Sequence, residues 1–377
     1  MSVSLLQEMT EKAMARNIPI SVQVDLTYRC NERCVHCYLD HDDHGEMTTA
    51  EIKHLLKEMA EAGVFILTLS GGEIFLRKDF FELLEYARRD LQFCVKLKTN
   101  ALLIREREAA RIRDLGVESI QISIYSHRPE VHDAITLVPG SLKRSIDAAR
   151  FLKSQGLRVI FANVLMTQNM ADYPGVRALA AELGIESTLD PTITPMMDGD
   201  RGILSLGVGR DELRQVFRDT SLVGDAEEFC AISTNDSNED ALENLPCSAG
   251  HTSCYVSPYG DVFPCVQFPL PTGNVRRQRF IDIWRHSDEM NDVRSIRVKD
   301  LSTCTSCTHV SSCSRCPGLA FMEGNMRGPS SQDCERSFAR TGVPSANMLA
   351  KAKAKPARAA ANLVQIRALP TMAGATA

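Results

Sequence analysis

Apolar and polar positions form short, regular segments along the first 220 residues, and these segments predict strands and helices in turn. Short apolar runs predict six strands, at residues 22–26, 65–69, 93–98, 119–125, 158–166 and 187–193. Apolar residues with helical spacing predict helices between them, at residues 48–62, 79–89, 105–115, 141–155 and 173–183. Strands that alternate with helices indicate a parallel sheet with right-handed crossovers.

Six such units predict an α/β fold with an open, partial (β/α)6 barrel rather than the closed barrel of eight units. The run at 65–69, FILTL, is typical of a strand that is buried on both faces of a parallel sheet. Ligands of such folds gather at the carboxyl ends of the strands. We therefore expect the functional site in the loops that follow the strands.

Composition and charge restrict the class of protein. The chain has 377 residues, of which 44% are hydrophobic, and a formal net charge of −5. These values are typical of a globular protein and favour neither nucleic acid nor membrane as a partner. The first residues include acidic side chains and predict no export signal, and no run approaches the ~20 apolar residues of a membrane span. Thirteen cysteines without an export signal indicate metal binding in the cytoplasm rather than disulfide bonds.

Three cysteines follow the first predicted strand at close spacing. Cys30, Cys34 and Cys37 stand in the run CNERCVHC, with gaps of three and two residues. Soft thiolates select iron–sulfur clusters or zinc. Three of them can hold three irons of a [4Fe–4S] cubane and leave the fourth iron open to substrate. Structural zinc sites draw their cysteines mostly in pairs two residues apart, so the spacing favours a cluster over zinc and over chance.

The run CNERCVHCY resembles the cluster loop of the radical S-adenosylmethionine (SAM) superfamily. The segment SGGEIFLRKDF, after the second predicted strand, is similar to a pattern of its peptide-modifying members. The resemblance implies that Gly71, Gly72 and Glu73 hold the amino group of SAM, and that Asn100 and Ser123 line the SAM pocket. It also implies reductive cleavage of SAM to a 5′-deoxyadenosyl radical. A glycine pair without this context is usually only a turn.

A second concentration of cysteines begins at residue 247 and resembles the SPASM extension of radical SAM enzymes. One departure is that Cys313 and Cys316 are two residues apart instead of three, and Cys254 is an eighth cysteine. The resemblance implies two auxiliary [4Fe–4S] clusters, each with four thiolates. The ligands of the first would be Cys247, Cys254, Cys265 and Cys316. The ligands of the second would be Cys304, Cys307, Cys313 and Cys334. Zinc knuckles are the alternative, because CTSC and CSRC alone suit zinc.

The resemblance covers residues 20–335 and implies an oxidoreductase that modifies a ribosomally made peptide by cross-linking, cyclisation or a related maturation. The alternative substrate is a tetrapyrrole or another small molecule, as in haem-type cofactor biosynthesis. The alternative from another class is a non-catalytic iron–sulfur electron-transfer protein. About 20 residues precede the first strand, so a peptide substrate is expected to need a separate recognition protein. The first cluster is expected to need an electron donor such as flavodoxin or ferredoxin.

The chain is predicted to have four parts. They are an N-terminal segment at 1–19, a radical SAM partial barrel at 20–225, a SPASM auxiliary-cluster domain at 226–340, and a basic, alanine-rich tail at 341–377. The tail is expected to be disordered. Asp190, on the sixth strand, is a candidate acid or base, with a solvated strand end as the alternative. His36, His41 and His44 are interpreted as members of an exposed acidic loop. Tyr125 departs from the aspartate that many radical SAM enzymes carry there.

Overall fold

The computed structural model describes residues 5–232 and 242–354, and its strands form one sheet. The strands are β1 Ser21–Thr27, β2 Ile66–Gly71, β3 Cys94–Thr99, β4 Ser119–Ser123, β5 Val159–Val164, β6 Glu186–Asp190, β7 Ser253–Val256, β8 Asp261–Phe263 and β9 Gly273–Asn274. Their order across the sheet is β6-β5-β4-β3-β2-β1-β7-β8-β9. The first six pair in parallel in chain order. The six predicted strands and the open, partial barrel are confirmed.

Helices connect the parallel strands and build the C-terminal part. They are α1 Leu5–Ala15, α2 Thr49–Glu61, α3 Phe80–Glu85, α4 Glu106–Asp114, α5 Pro129–Thr136, α6 Ser141–Ser154, α7 Tyr173–Glu182, α8 Arg210–Val216, α9 Thr220–Val223, α10 Ala226–Cys230, α11 Phe280–His286, α12 Asp288–Ser295, α13 Pro317–Met322, α14 Ser331–Thr341 and α15 Ala346–Ala354. No helix within residues 5–232 or 242–354 is long and apolar enough to cross a membrane.

Local sequence explains where α2 begins. Thr48 is the N-cap: its side chain accepts from the amide of Glu51, and the Glu51 carboxylate accepts from the amide of Thr48 at 2.7 Å. This reciprocal arrangement is a capping box, which satisfies amides that the first helical turn leaves unpaired. Past the other end of α2, Gly63 has a φ of +94°, which glycine adopts at little cost.

Strands β2 and β3 bury apolar side chains on one face. Leu67, Leu69, Val95 and Leu97 are at most 1% exposed and pack into the main hydrophobic core. The intervening residues are polar and alternate with them, as expected for a strand with two different faces. The prediction that 65–69 is buried on both faces is therefore wrong, and Phe65 at the start of that run is 60% exposed.

The C-terminal strands extend the same sheet on the far side of β1. Strand β7 pairs with β1 in parallel, with Cys254 opposite Val22, and β8 and β9 continue the sheet as antiparallel strands. Helix α11 also docks on the barrel: the Phe280 amide donates to the Glu58 carboxylate at 2.8 Å, and Trp284 is fully buried. The C-terminal part therefore shares both sheet and core with the barrel. The predicted boundary between residues 225 and 226 stays a prediction.

The predicted disordered tail is partly helical. Helix α15 occupies the start of the 341–377 segment, so the prediction is wrong for residues 346–354. The Ser345 hydroxyl accepts from the Met348 amide at 3.3 Å, which helps to fix the first turn. Residues 355–377 lie outside the described residues.

Candidate functional site

The loop that carries the first three cysteines borders a cavity of about 630 Å³ at the carboxyl ends of the strands, which we call the central cavity. Cys30, Cys34 and Cys37 all line it. The loop is anchored to α5, since the Arg33 amide donates to Thr136 and the Val35 amide donates to Ile135, both at backbone oxygens. The structure therefore brings the three predicted ligands together in one wall of one cavity.

The chemistry of these thiols fits a cluster. Burial raises the pKa of the Cys30 thiol to about 12 and raises the pKa of Cys34 and Cys37 as well. Bound metal reverses this preference, because a coordinating thiol is deprotonated. Within residues 5–232 and 242–354, no three His, Cys, Asp or Glu side chains converge closely enough to hold a single metal ion. Cys30, Cys34 and Cys37 share one cavity, and a cluster held by all three requires a shared space.

The glycine pair lets the end of β2 approach the cysteine loop. A Cβ on Gly71 would lie 2.2 Å from the Thr27 carbonyl oxygen, and one on Gly72 would lie 2.4 Å from that of Arg29. Both distances are impossible for a real side chain, so glycine is required at both positions. The Gly72 amide donates to Thr27 at 2.7 Å. Both glycines line the central cavity, next to the cysteines.

Glu73 lies beneath the cavity wall and does not line the cavity. Its side chain is 0% exposed. One carboxylate oxygen accepts from the Phe75 amide at 3.0 Å, the other from the Asn100 amide at 2.9 Å, and the Thr99 hydroxyl lies within 2.9 Å of both. The carboxylate therefore fixes the end of β3 to the end of β2. A direct contact between this carboxylate and SAM stays a prediction.

The other two predicted SAM contacts line the central cavity. Asn100 follows β3, and its side-chain amide donates to Asn31 of the cysteine loop at 2.7 Å. Ser123 ends β4 and lies on the cavity wall. Their places at the ends of adjacent strands follow from the parallel sheet, in which carboxyl ends share one edge.

The polar faces of the strands line the deeper part of the cavity. Lys98 of β3 is exposed to the cavity and donates to the Gln23 side chain at 3.0 Å. Gln121 and Asp190 lie on the same surface, from β4 and β6. Asp190 is exposed to the cavity and accepts from the Thr192 amide at 2.9 Å, so both interpretations, a reactive group and a solvated strand end, stay predictions.

His36 and Tyr125 are among the cavity residues that the sequence analysis did not identify as site residues. His36 was interpreted as part of an exposed loop, but it lines the cavity and makes an edge contact with Tyr125 at 4.7 Å between ring centroids. Tyr125 is 6% exposed and stacks on His132 at 5.5 Å. His36 lies between Cys34 and Cys37, and this position next to two ligands was the signal that could have revealed it.

The predicted ligands of the second auxiliary cluster surround a separate, smaller cavity, which we call the second cysteine cavity. Its cysteines are Cys304, Cys307, Cys313 and Cys334. Helix α15 contributes donors that the sequence did not predict: the Ala346 amide donates to Cys307 at 3.4 Å, and the Asn347 side chain donates to Cys334 at 3.7 Å. The start of the tail thus belongs to this site.

The predicted ligands of the first auxiliary cluster lie near one another beside the central cavity. Cys254 is on β7, Cys265 follows β8, and Cys316 precedes α13. Burial raises the pKa of Cys265 and of Cys316, and charge on Cys247 adds to the increase in both. Next to Cys265, Val266 and Gln267 line the central cavity. Cys265 therefore lies at the edge of the central cavity.

Comparison with known proteins agrees with this arrangement. The family model described as the radical SAM superfamily matches residues 24–180, and the one described as an iron–sulfur cluster-binding domain, SPASM, matches residues 247–317. The chain is 30% identical to the mycofactocin maturase MftC of Mycolicibacterium smegmatis, over 85% of this chain and 83% of that protein. It is 27% identical to an AdoMet-dependent heme synthase of Methanosarcina barkeri, over 81% of this chain and 93% of that protein.

A solved structure shares the fold. Streptococcus suis SuiB bound to the precursor peptide SuiA superposes with a TM-score of 0.69, covering 89% of this chain and 82% of that chain at 18% identity. The sequence matches also decide between the classes of protein considered above. The protein is an enzyme that uses SAM and iron–sulfur clusters, which excludes the non-catalytic electron carrier. The chain belongs to the radical SAM superfamily and carries a SPASM domain.

Proposed function

We propose that this enzyme modifies a ribosomally made peptide by hydrogen abstraction, forming a cross-link, a ring or a related product. The observation that carries the proposal is the 30% identity to a mycofactocin maturase over 85% of the chain. With cluster and SAM bound, reductive cleavage of SAM supplies the 5′-deoxyadenosyl radical that attacks an unactivated C–H bond. The protein itself must orient the substrate and exclude water.

We assign the first cluster to Cys30, Cys34 and Cys37, and SAM to the surface formed by Gly71, Gly72, Asn100 and Ser123, with Glu73 buried beneath it. The auxiliary clusters are assigned to the two sets of four cysteines described above. Support comes from the shared cavities, since three thiols line the central cavity and four surround the second cysteine cavity. The glycine backbones and Asn100 would offer SAM carbonyl and amide groups beside the open iron.

The charges of the central cavity favour a peptide over a tetrapyrrole. Biological tetrapyrroles carry several carboxylates, and binding them calls for several cations. Among the described residues that line the cavity, Lys98 is the one lysine or arginine, whereas Glu32 and Asp190 are acidic. A peptide side chain or terminus can be neutral or carry a single charge. The cavity suits such a substrate better.

A tetrapyrrole remains the second candidate because of a specific observation. The AdoMet-dependent heme synthase of Methanosarcina barkeri matches 81% of this chain, almost as much as the maturase does. We propose in addition that a separate recognition protein presents the peptide, that flavodoxin or ferredoxin supplies the electron, and that the reaction takes place in the cytoplasm, where thiols stay reduced.

The proposal is tested with anaerobically reconstituted enzyme, SAM and a reductant. We expect that a synthetic precursor peptide, encoded beside the gene and supplied with its recognition protein, raises 5′-deoxyadenosine formation and changes mass. Carboxylated porphyrins serve as the parallel substrates, and S-adenosylhomocysteine replaces SAM in the control. Turnover of a porphyrin with an unchanged peptide would contradict the proposal and establish the second candidate.

Replacing Glu73 by glutamine tests the buried carboxylate of the SAM surface. The Thr99 hydroxyl and the Asn100 backbone amide donate hydrogen bonds to the Glu73 carboxylate. Glutamine replaces one of the accepting oxygens by an NH2 group, so one of these hydrogen bonds is lost and the end of β3 should shift. We expect SAM affinity to fall about ten- to a hundredfold, equal to roughly 1.5–3 kcal/mol, with iron content unchanged. Isothermal titration measures the affinity.

Glu82→Gln is the matched control, because Glu82 lies on the exposed side of α3 and pairs with Lys53 at 2.6 Å. It should bind SAM like the unaltered enzyme. Unchanged SAM affinity in Glu73→Gln with a full iron content would show that the Glu73 carboxylate does not shape the SAM surface.

A further inference from the structure

Three arginines in the described residues are buried, and they differ in how their charge is compensated. Arg77, Arg294 and Arg315 are 9%, 7% and 6% exposed. Arg77 forms an ion pair with Asp79 at 2.7 Å and donates to the carbonyl oxygens of Leu26 and Met47. Its charge is compensated within the protein. The other two lie beside the auxiliary cysteines.

Arg315 lines the second cysteine cavity, and no carboxylate of the described residues forms an ion pair with it. Its Nε and Nη2 donate to the backbone oxygens of Gly328 and Met326, and Nη1 has no partner among these residues. Asp333 lines the same cavity but forms an ion pair with Arg336. In sequence, Arg315 lies between Cys313 and Cys316, where the spacing departs from the SPASM pattern. A buried cation therefore faces four cysteines with one N–H group unused.

Arg294 is likewise a buried arginine near the predicted ligands of the first auxiliary cluster. Its Nε donates to the Gly250 backbone oxygen and its Nη1 donates to Asn291, while Nη2 has no partner among the described residues. The guanidinium lies over the Trp284 ring at 4.4 Å. Gly250 lies between Cys247 and Cys254 in sequence, so the hydrogen bond holds this cation beside the loop that joins two of the four predicted ligands. No carboxylate in the described residues forms an ion pair with it.

Burying a charge without a counter-ion is costly, and a buried donor without an acceptor adds to that cost. Two such sites, each beside four cysteines, indicate that an anion belongs there. A [4Fe–4S] cubane held by four thiolates is an anion in both of its common redox states, and its sulfurs accept hydrogen bonds. It can satisfy both the charge and the unused N–H group.

We propose that Arg315 and Arg294 are the buried counter-cations of the two auxiliary clusters, each donating its unpartnered N–H to a cluster or thiolate sulfur. This rests on the ligand sets of the proposed function. Reduction adds a negative charge to a cluster, so a fixed cation nearby stabilises the reduced form and raises the reduction potential. Each arginine therefore makes its cluster a better acceptor for the electron that a substrate radical must lose.

A redox titration followed by electron paramagnetic resonance tests the proposal on the holoenzyme. In Arg315→Met, the ratio of reduced to oxidised second auxiliary cluster at a fixed potential should fall at least about tenfold, which equals about 59 mV for a one-electron couple. Arg315→Lys keeps a cation and should shift less. Arg294→Met should lower the ratio of reduced to oxidised first auxiliary cluster instead. Arg327→Met is the matched control, because Arg327 pairs with Asp292 at the surface.

A second measurement needs no substitution and covers the case in which a variant loses its fold. Unaltered enzyme labelled with ¹⁵N only in the arginine guanidino group should show ¹⁵N coupling to the reduced auxiliary clusters in pulsed resonance spectra. Unchanged potentials at full iron content, or no ¹⁵N coupling, would overturn the counter-cation role while leaving the ligand sets intact. An iron count of about four would overturn the ligand sets, and the counter-cation role with them.

Discussion

Replacement of Cys30, Cys34 and Cys37 together by alanine is expected to abolish cleavage of SAM and to lower the iron content from about twelve to about eight atoms per chain. The three thiols line the cavity that also contains the glycine pair, and no other cysteine lines it. Among the described residues that line it, none could take over three iron bonds. Iron analysis after anaerobic reconstitution and chromatography of 5′-deoxyadenosine measure the two effects.

The double variant Cys94→Ala and Cys230→Ala is the control for this experiment. Cys94 lies on β3 and Cys230 ends α10, and neither lines the central cavity or the second cysteine cavity. This variant should keep about twelve irons and full SAM cleavage. About four irons in the unaltered protein, or stoichiometric zinc, would contradict the assignment of two auxiliary clusters.

Replacement of Cys304 and Cys307 by alanine should abolish finished product while SAM cleavage continues at a reduced rate. These cysteines border the second cysteine cavity, which is separate from the central cavity. Because four thiols are available to the second auxiliary cluster, no open iron remains to bind substrate. Its role is then to accept the electron from the substrate radical. Mass spectrometry of the substrate and quantification of 5′-deoxyadenosine measure the two activities separately.

Folding must be checked in this variant, because losing a cluster can unfold a region built around metal. Circular dichroism and an iron count near eight would show that only one cluster is missing. Ser306→Ala is the matched control, since Ser306 lies between the two cysteines and points its hydroxyl to the Thr303 backbone oxygen at 3.2 Å. Full product from a folded Cys304/Cys307 variant would show that this cluster is dispensable.

Local signals explain why the barrel could be predicted so well from sequence. Strands β2 to β5 contain short apolar stretches, and caps such as the Thr48–Glu51 box mark where helices begin. Helix α5 was not predicted; it has only eight residues and begins at Pro129, immediately after the polar residues Ser126, His127 and Arg128. This helix contributes through a tertiary contact, because it anchors the cysteine loop by backbone hydrogen bonds.

Other features depend on contacts between residues that are distant in the chain, and the local sequence does not predict them. The sequence placed Glu73 after a glycine pair, but the direction of its carboxylate depends on Thr99 and Asn100, more than 25 residues later. The alanine-rich composition of the tail indicated disorder, yet α15 is held by contacts with Cys307 and Cys334. Composition cannot report such contacts.

The parallel pairing of β7 with β1 has a consequence for how the enzyme is made. Residues 21 and 253 are hydrogen-bonded neighbours in the sheet, yet 231 positions separate them along the chain. Until β7 has left the ribosome, the outer edge of β1 has no neighbour, and an exposed edge strand invites pairing with other chains. The barrel is therefore completed last at the strand that leads into its first cysteines.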